Sequence, residues 1–288
     1  MQTSSVQVTG AASPANPRHG LSARNRMLFF LTAWLIVLMP MLFWWNTWFG
    51  RTLSDKQLNK YLHDDAHPRH IQHALVQLGE RMARRDRNIV QWYPAIAQLG
   101  TYRVEEIRNT AAWVMGQDTS SPEFHQTLLN MLNDNSPAVR GNAALALVRF
   151  GDAAGRPHIV ALLQPATVVA PESGKLADAA LPGTLIHQGG VLAKLHAEDQ
   201  TITVRSPITG RLRSLSASKG QAVNAGSEIA VVDPGTEQVW EALRALVVVG
   251  QPDDLPAISR YQRELPGIPD HVRRQAAETE RAIRQRNQ

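Results

Sequence analysis

Between Ala166 and Pro234 the chain writes one short pattern twice, and no other stretch limits its fold so tightly. The first copy is VAPESGKLADAALPGTLIHQGGVLAKL and the second is RSPITGRLRSLSASKGQAVNAGSEIAVV. Pro171, Gly174, Gly183 and Gly189 answer to Pro207, Gly210, Gly220 and Gly226, with one inserted residue between the first and second glycine pairs. Each copy holds short apolar or alternating runs: Thr167 to Ala170, Thr184 to His187 and Val191 to Leu195, then Thr201 to Arg205, Gln221 to Val223 and Glu228 to Val232. Gly and Pro separate them, which is the punctuation of strands and turns. A unit of about 30 residues with such strands cannot bury a face alone. The two copies are therefore expected to clasp each other about a pseudo-twofold axis. The glycines mark places of positive φ or close backbone approach.

The carried motif is Pro-x-x-Gly-x-Leu followed by Gly-x-x-Val-x-x-Gly, as in Pro207 to Leu212 and Gly220 to Gly226. It resembles the biotinyl/lipoyl domain, and more narrowly the form found in membrane fusion proteins of bacterial export systems. The resemblance implies an all-β barrel-sandwich hybrid over residues 166–234. It also implies a lysine at the tip of the hairpin joining the halves, wherever biotin or lipoate is carried. Asp199 stands at that position, and no lysine falls between Lys194 and Lys219. No cofactor is therefore expected, and the stretch reads as a non-acylated docking module.

Cysteine is absent, which removes disulfides, thiolate zinc sites and a cysteine nucleophile. The formal charge of +5 is no nucleic-acid signature, because Arg18, Arg24 and Arg26 stand without an acid in the first fifty residues. Residues 1–26 are rich in Ser, Thr, Gln, Ala and Gly and read as a disordered cytoplasmic tail. Residues 27–49 carry no charge and end in Trp44, Trp45 and Trp48; as a helix they would run about 35 Å, so a transmembrane helix is expected, kinked at Pro40. Flanking charge and the export-adaptor resemblance together place the expected anchor in the inner membrane, with the C-terminal domains in the periplasm.

From Leu53 to Gln164 apolar residues recur at helical spacing. Ile107-Arg108-x-x-Ala111-Ala112 returns as Val139-Arg140-x-x-Ala143-Ala144 and again as Val272-Arg273-x-x-Ala276-Ala277. With Asn133 to Arg140, this resembles the short HEAT repeat of the PBS-lyase type. The resemblance implies stacked helix pairs and an arginine that reaches an acid of the neighbouring repeat. Residues 70–100 read as a degenerate copy, and Val239 to Gly250 with Leu255 to Arg263 as another. The expected fold is α+β: an N-terminal transmembrane helix, a HEAT-like α-solenoid over 53–165, the inserted β-unit over 166–234, and C-terminal HEAT-like helices over 235–288. Pro165 and Pro234-Gly235 form the joints.

For chemistry the sequence offers His63, His67, His70 and His73, with Asp64 and Asp65 beside them. Pro68 breaks the register between the two histidine pairs, so they read as a solvated loop and helix start, with no metal expected. No phosphate loop, nucleophile elbow or HExxH appears, and no enzyme is expected. The expected function is a membrane-anchored protein-binding scaffold or adaptor, partnered by a transporter or envelope complex. The alternatives are a biotin/lipoyl-type carrier subunit, which would need modification at Lys175, Lys194 or Lys219, and a bilin-lyase-like enzyme.

Overall fold

A computed structural model describes residues 23–46, 52–197, 200–263 and 267–288, and divides the chain into two compact units, 1–52 and 53–288. Asp199 and Trp48 lie outside the described residues. In the first unit α1 (Ala23–Asn46) continues through position 40. Met27, Leu28, Phe30, Leu31, Trp34 and Ile36 are exposed on it. The expected membrane span, with its inner-membrane location and periplasmic domains, is corrected here: among the described residues no helix is long and apolar enough to cross a membrane. The helix carries Arg24 and Arg26 in its first turn.

The second unit pairs helices in two layers. One layer is α3 (Pro68–Ala83), α5 (Glu105–Met115), α7 (Pro137–Arg149), α9 (Thr236–Val249) and α11 (Asp270–Arg286), each packed on the next. The second layer is α4 (Tyr93–Gln98), α6 (Pro122–Met131), α8 (Arg156–Ala161) and α10 (Leu255–Ser259), and α2 (Asp55–Leu62) closes on α3. The local causes are plain. Ser121-Pro122 and Ser136-Pro137 begin α6 and α7, each serine accepting a backbone N–H three residues on while the proline fills the first turn, where no N–H is needed. The repeated motif falls on α5, α7 and α11. Ile107, Ala111, Ala112, Val139, Ala143, Ala144, Val272 and Ala276 are all buried, and the alanines let neighbouring helices close together. The second half of the degenerate copy over 70–100 is a 3-10 turn (Arg87–Trp92) followed by α4, because Pro94 suits a helix start and not a helix interior.

The β-unit leaves the array after α8 and rejoins it at α9, and those two helices pack directly on each other. Ile159 and Leu163 before it share one core with Val239, Leu243 and Tyr261 after it. Tyr261 seals this join by donating its buried hydroxyl to the Leu163 carbonyl at 2.7 Å. Burial, the dominant cause, pushes that phenol up to about 12.

Eight strands make up the unit: β1 (Ala166–Val169), β2 (Gly174–Ala179), β3 (Leu185–Ile186), β4 (Val191–Ala197), β5 (Gln200–Arg205), β6 (Gly210–Leu215), β7 (Ala222–Val223) and β8 (Glu228–Pro234). They form two antiparallel sheets ordered β1-β8-β6-β3 and β5-β4-β2-β7. Shifting each strand by four places, counted cyclically around the eight, turns one order into the other. The correspondence reaches single hydrogen bonds: Gly183 N–H donates to Leu212 O and Gly220 N–H to Leu176 O, both at 2.7 Å. Likewise Gly189 N–H donates to Ser206 O and Gly226 N–H to Ala170 O, both at 2.8 Å.

The matched glycines play matched parts. Gly183 and Gly220 have φ of 90° and 85°, a conformation that side chains resist. Gly174 and Gly210 lie against the carbonyls of His196 and Asp233, where a Cβ would collide. β2 and β6, absent from the expected strands, are interior strands of the two sheets. Their alternation is carried by short mixed runs such as Arg211-Leu212-Arg213, in which only the leucine is buried. The pairing of β1 with β8 sets the two ends of the unit side by side, so joining them to the helices costs little entropy.

Candidate functional site

The HEAT-type arginine acts as the resemblance implies in one repeat. Arg108 on α5 forks onto Asp134 in the loop before α7, through Nε at 2.6 Å and Nη2 at 2.9 Å. Asp134 also accepts the Ser136 N–H at 2.8 Å. Burial alone would raise the Asp134 carboxyl, but the Arg108 and Ser136 hydrogen bonds more than offset it and hold it below the usual carboxylate range. Arg140 instead donates to the Asp134 and Asn135 carbonyls, and Arg273 pairs with Asp270 on its own helix. A second set of links runs between the other helices and the loops: Tyr93 on α4 bonds Asp118, and His125 on α6 bonds Asp152 at 2.8 Å. Burial first, and then the Asp118 contact, push the Tyr93 phenol far up.

These links tie α5 and α7 to their neighbouring helices and loops, and the outer faces of α5, α7 and α9 border an open groove of about 680 Å³. Trp113, Gln117, Asn142, Arg149, Glu241 and Arg244 line it. Trp113 is 45% exposed, and one edge of its ring rests where only a glycine, Gly79, leaves room. The Asn142 amide donates to Asn109 Oδ1 at 2.8 Å, and Arg149 donates to Gln117 at 3.1 Å. Arg244 lies 4.7 Å over the Trp240 ring and 3.6 Å from Glu241. An exposed indole, an amide pair and guanidinium groups on separate helices can stack on and hydrogen-bond a bound polypeptide. Sequence reading passed over this face. Its signal is the polar pair Asn109-Thr110 and the Asn142 that interrupt otherwise small and apolar motifs.

The β-unit docks beside this array. Glu105 at the start of α5 accepts from Gln188 at 2.5 Å and from Ser136 at 2.7 Å. Asp233 on β8 accepts from Arg213 at 2.9 Å and from Arg260 at 3.4 Å. The three lysines considered for acylation all sit away from the tip that joins β4 to β5. Lys175 is in β2 opposite His196, Lys194 is in β4 opposite Asp178 and Thr203, and Lys219 is exposed in the turn before β7.

Of the histidines singled out by sequence, His67 and His70 come together with Asp64. His67 Nδ1 lies 3.0 Å from Asp64 Oδ1, and His70 Nδ1 lies 2.5 Å from Asp64 Oδ2. The His70 and then the His67 hydrogen bonds hold the Asp64 carboxyl below its ordinary value. His63 contacts the Asn59 carbonyl at 2.8 Å, and His73 meets the Gln77 amide at 2.9 Å, so neither joins the three. Pro68 does not separate the pairs as expected. It occupies the first turn of α3, and this sets His67 at the N-cap and His70 three residues on, positions whose side chains meet.

Residues 93–170 match the family model for HEAT repeats, from the start of α4 into β1. The helices from α4 to α8 are thus HEAT-like repeats. Among solved structures, the chain is similar to an engineered protein at 16% identity and a TM-score of 0.40, covering 79% of this chain and 78% of that one. It is similar to a designed armadillo repeat protein at 15% identity and a TM-score of 0.39, covering 78% and 80%. A third likeness, to the urea carboxylase of Kluyveromyces lactis, has 18% identity and a TM-score of 0.23, covering 24% of this chain and spanning 6% of that one. No curated protein matches the sequence.

Proposed function

We propose that the chain is a protein-binding scaffold. In this reading the groove over α5, α7 and α9 takes an extended polypeptide segment, and the β-unit serves as a non-acylated docking module of the biotinyl/lipoyl type, as in an export assembly. The observation that carries it is Trp113, a large ring presented at the rim of a groove lined by Leu145, Val148 and small residues together with amide and charged groups. Repeat arrays bind by such faces, since their stacked helices offer a long surface with regularly placed side chains. An enzyme is not part of the proposal, because the groove holds no nucleophile beside a base. The absence of a lysine from the Glu198-Asp199 sequence joining β4 to β5 supports docking over carriage of an acyl group.

The test is site-specific photocrosslinking in cells from position 113 and, as a control, from the exposed position 126 on α6. A discrete protein adduct from 113 that is missing from 126, and that is lost when Arg149 and Arg244 are both changed to Ala, is the expected result. Equal adduct patterns from the two positions, or none from either, overturn the proposal. An intact mass that carries biotin or lipoate on Lys175, Lys194 or Lys219 would overturn the non-acylated reading of the β-unit.

A further inference from the structure

Asp64, His67 and His70 are spaced three apart across the corner where α2 passes into α3. Two backbone hydrogen bonds hold that corner: His67 N–H to Asp64 O at 3.0 Å and His70 N–H to His67 O at 2.8 Å. Each residue offers one ligand atom, and the three atoms lie within 4.8 Å of one another. Tetrahedral Zn2+ with bonds of about 2.0–2.2 Å needs its donors roughly 3.4 Å apart. Two of the contacts are already shorter than that, so side-chain rotation of about an ångström suffices to seat an ion. Tyr61 stacks on the His70 ring with centroids 4.4 Å apart and planes 10° from parallel, which fixes that imidazole. His67 is the open side, its side chain 64% exposed against 20% for Asp64 and 17% for His70.

We propose that Asp64, His67 and His70 form a divalent metal site that takes Zn2+, with two imidazole nitrogens and one carboxylate oxygen as ligands. The open side at His67 leaves room for a water or for a ligand from a bound partner. The donor set selects the metal: two imidazoles suit zinc, where Mg2+ and Ca2+ demand oxygen. Burying no ion, the same atoms make two hydrogen bonds; with an ion, the carboxylate and both lone pairs turn to it, and any imidazolium proton is released to solvent. The site also sits at a structural junction. Asp65, next in the chain, accepts the Tyr102 hydroxyl at 2.8 Å, and its carbonyl accepts from Arg103 at 3.1 Å. An ion at this corner therefore ties α2 to α3 within two residues of the contact with the next helix pair.

The experiment titrates Zn2+ into the untagged, chelator-treated full-length chain against a chromophoric competitor, and repeats the titration with Co2+ to read its visible bands. One equivalent is expected, with the Co2+ spectrum of a four-coordinate nitrogen and oxygen site. Asp64→Asn and His67→Ala are each expected to weaken binding more than about a hundredfold, since loss of even an outer-shell partner costs roughly 10–100-fold. His67→Ala removes an exposed ring and keeps the fold, which circular dichroism verifies, while His187→Ala in the β-unit leaves affinity unchanged. Failure to bind one equivalent, or binding that survives both Asp64→Asn and His67→Ala, overturns the proposal.

Discussion

Removing either partner of the Arg108–Asp134 pair tests whether the repeats are held in register by that contact. Both side chains are mostly covered, at 16% and 10% exposure, so solvent screens the pair little. Arg108 also donates to the Tyr102 carbonyl at 2.9 Å, and Asp134 also receives the Ser136 N–H. Each substitution thus strands charge-assisted hydrogen bonds worth about 1.5–3 kcal/mol apiece and leaves a half-buried charge behind. Arg108→Ala and Asp134→Ala are each expected to cost about 3 kcal/mol, or roughly 6–12 °C in Tm for a unit of this size. The double variant should fall short of the sum by about 1.5–3 kcal/mol.

The pH dependence has a definite sign. The folded Asp134 pKa lies below its unfolded value, so its contribution is present above about pH 4 and is lost as pH falls through the folded pKa. Calorimetry or chemical unfolding at pH 7 and near pH 3 measures both effects. Single variants within about 0.5 kcal/mol of the parent, or additive losses at pH 7, would refute the reasoning.

Further expectations concern the β-unit and its joint. Gly210→Ala drives a methyl into the Asp233 carbonyl and is expected to cost about 3 kcal/mol or more, with protease cutting appearing within 166–234. Gly183→Ala, at φ 90° but with nothing within 4 Å, should cost only about 1–2 kcal/mol, and the reverse ranking would contradict the geometry. Tyr261→Phe leaves the Leu163 carbonyl without its buried donor and should lower stability by about 1–3 kcal/mol, read as a shift in unfolding midpoint at constant slope.

Much of the β-unit was legible because its signals are steric. Gly and Pro recur where only those residues fit, so Gly183 and Gly220 announced the turns that the coordinates place there. β2 and β6 were not legible, since Lys175, Asp178, Arg211 and Arg213 occupy their outward positions and hide the alternation. The helices of the repeat were visible through Val-Arg-x-x-Ala-Ala, whose buried alanines serve close packing. The groove was not, for an exposed Trp113 reads like any aromatic of an amphipathic helix until α5, α7 and α9 stand side by side. Which of the histidines meet was not legible. Pro68 is a breaker in a helix interior and an initiator in a first turn, and only the position of the N-cap decides between them. Residues 27–49 gave an apolar signal that read as a membrane span, yet among the described residues no helix is long and apolar enough to cross one.

Neither half of the β-unit owns a whole sheet. A peptide ending at Ala197 would keep only the β2–β4 pairing and leave β1 and β3 with no neighbour, and a second copy of the same peptide could supply the missing strands. Such a fragment has one economical way to satisfy its edges, which is to embrace its twin as a homodimer. Tandem fusion turns that meeting of two molecules into an event inside one chain, where the effective concentration of each half for the other no longer depends on how much protein the cell makes.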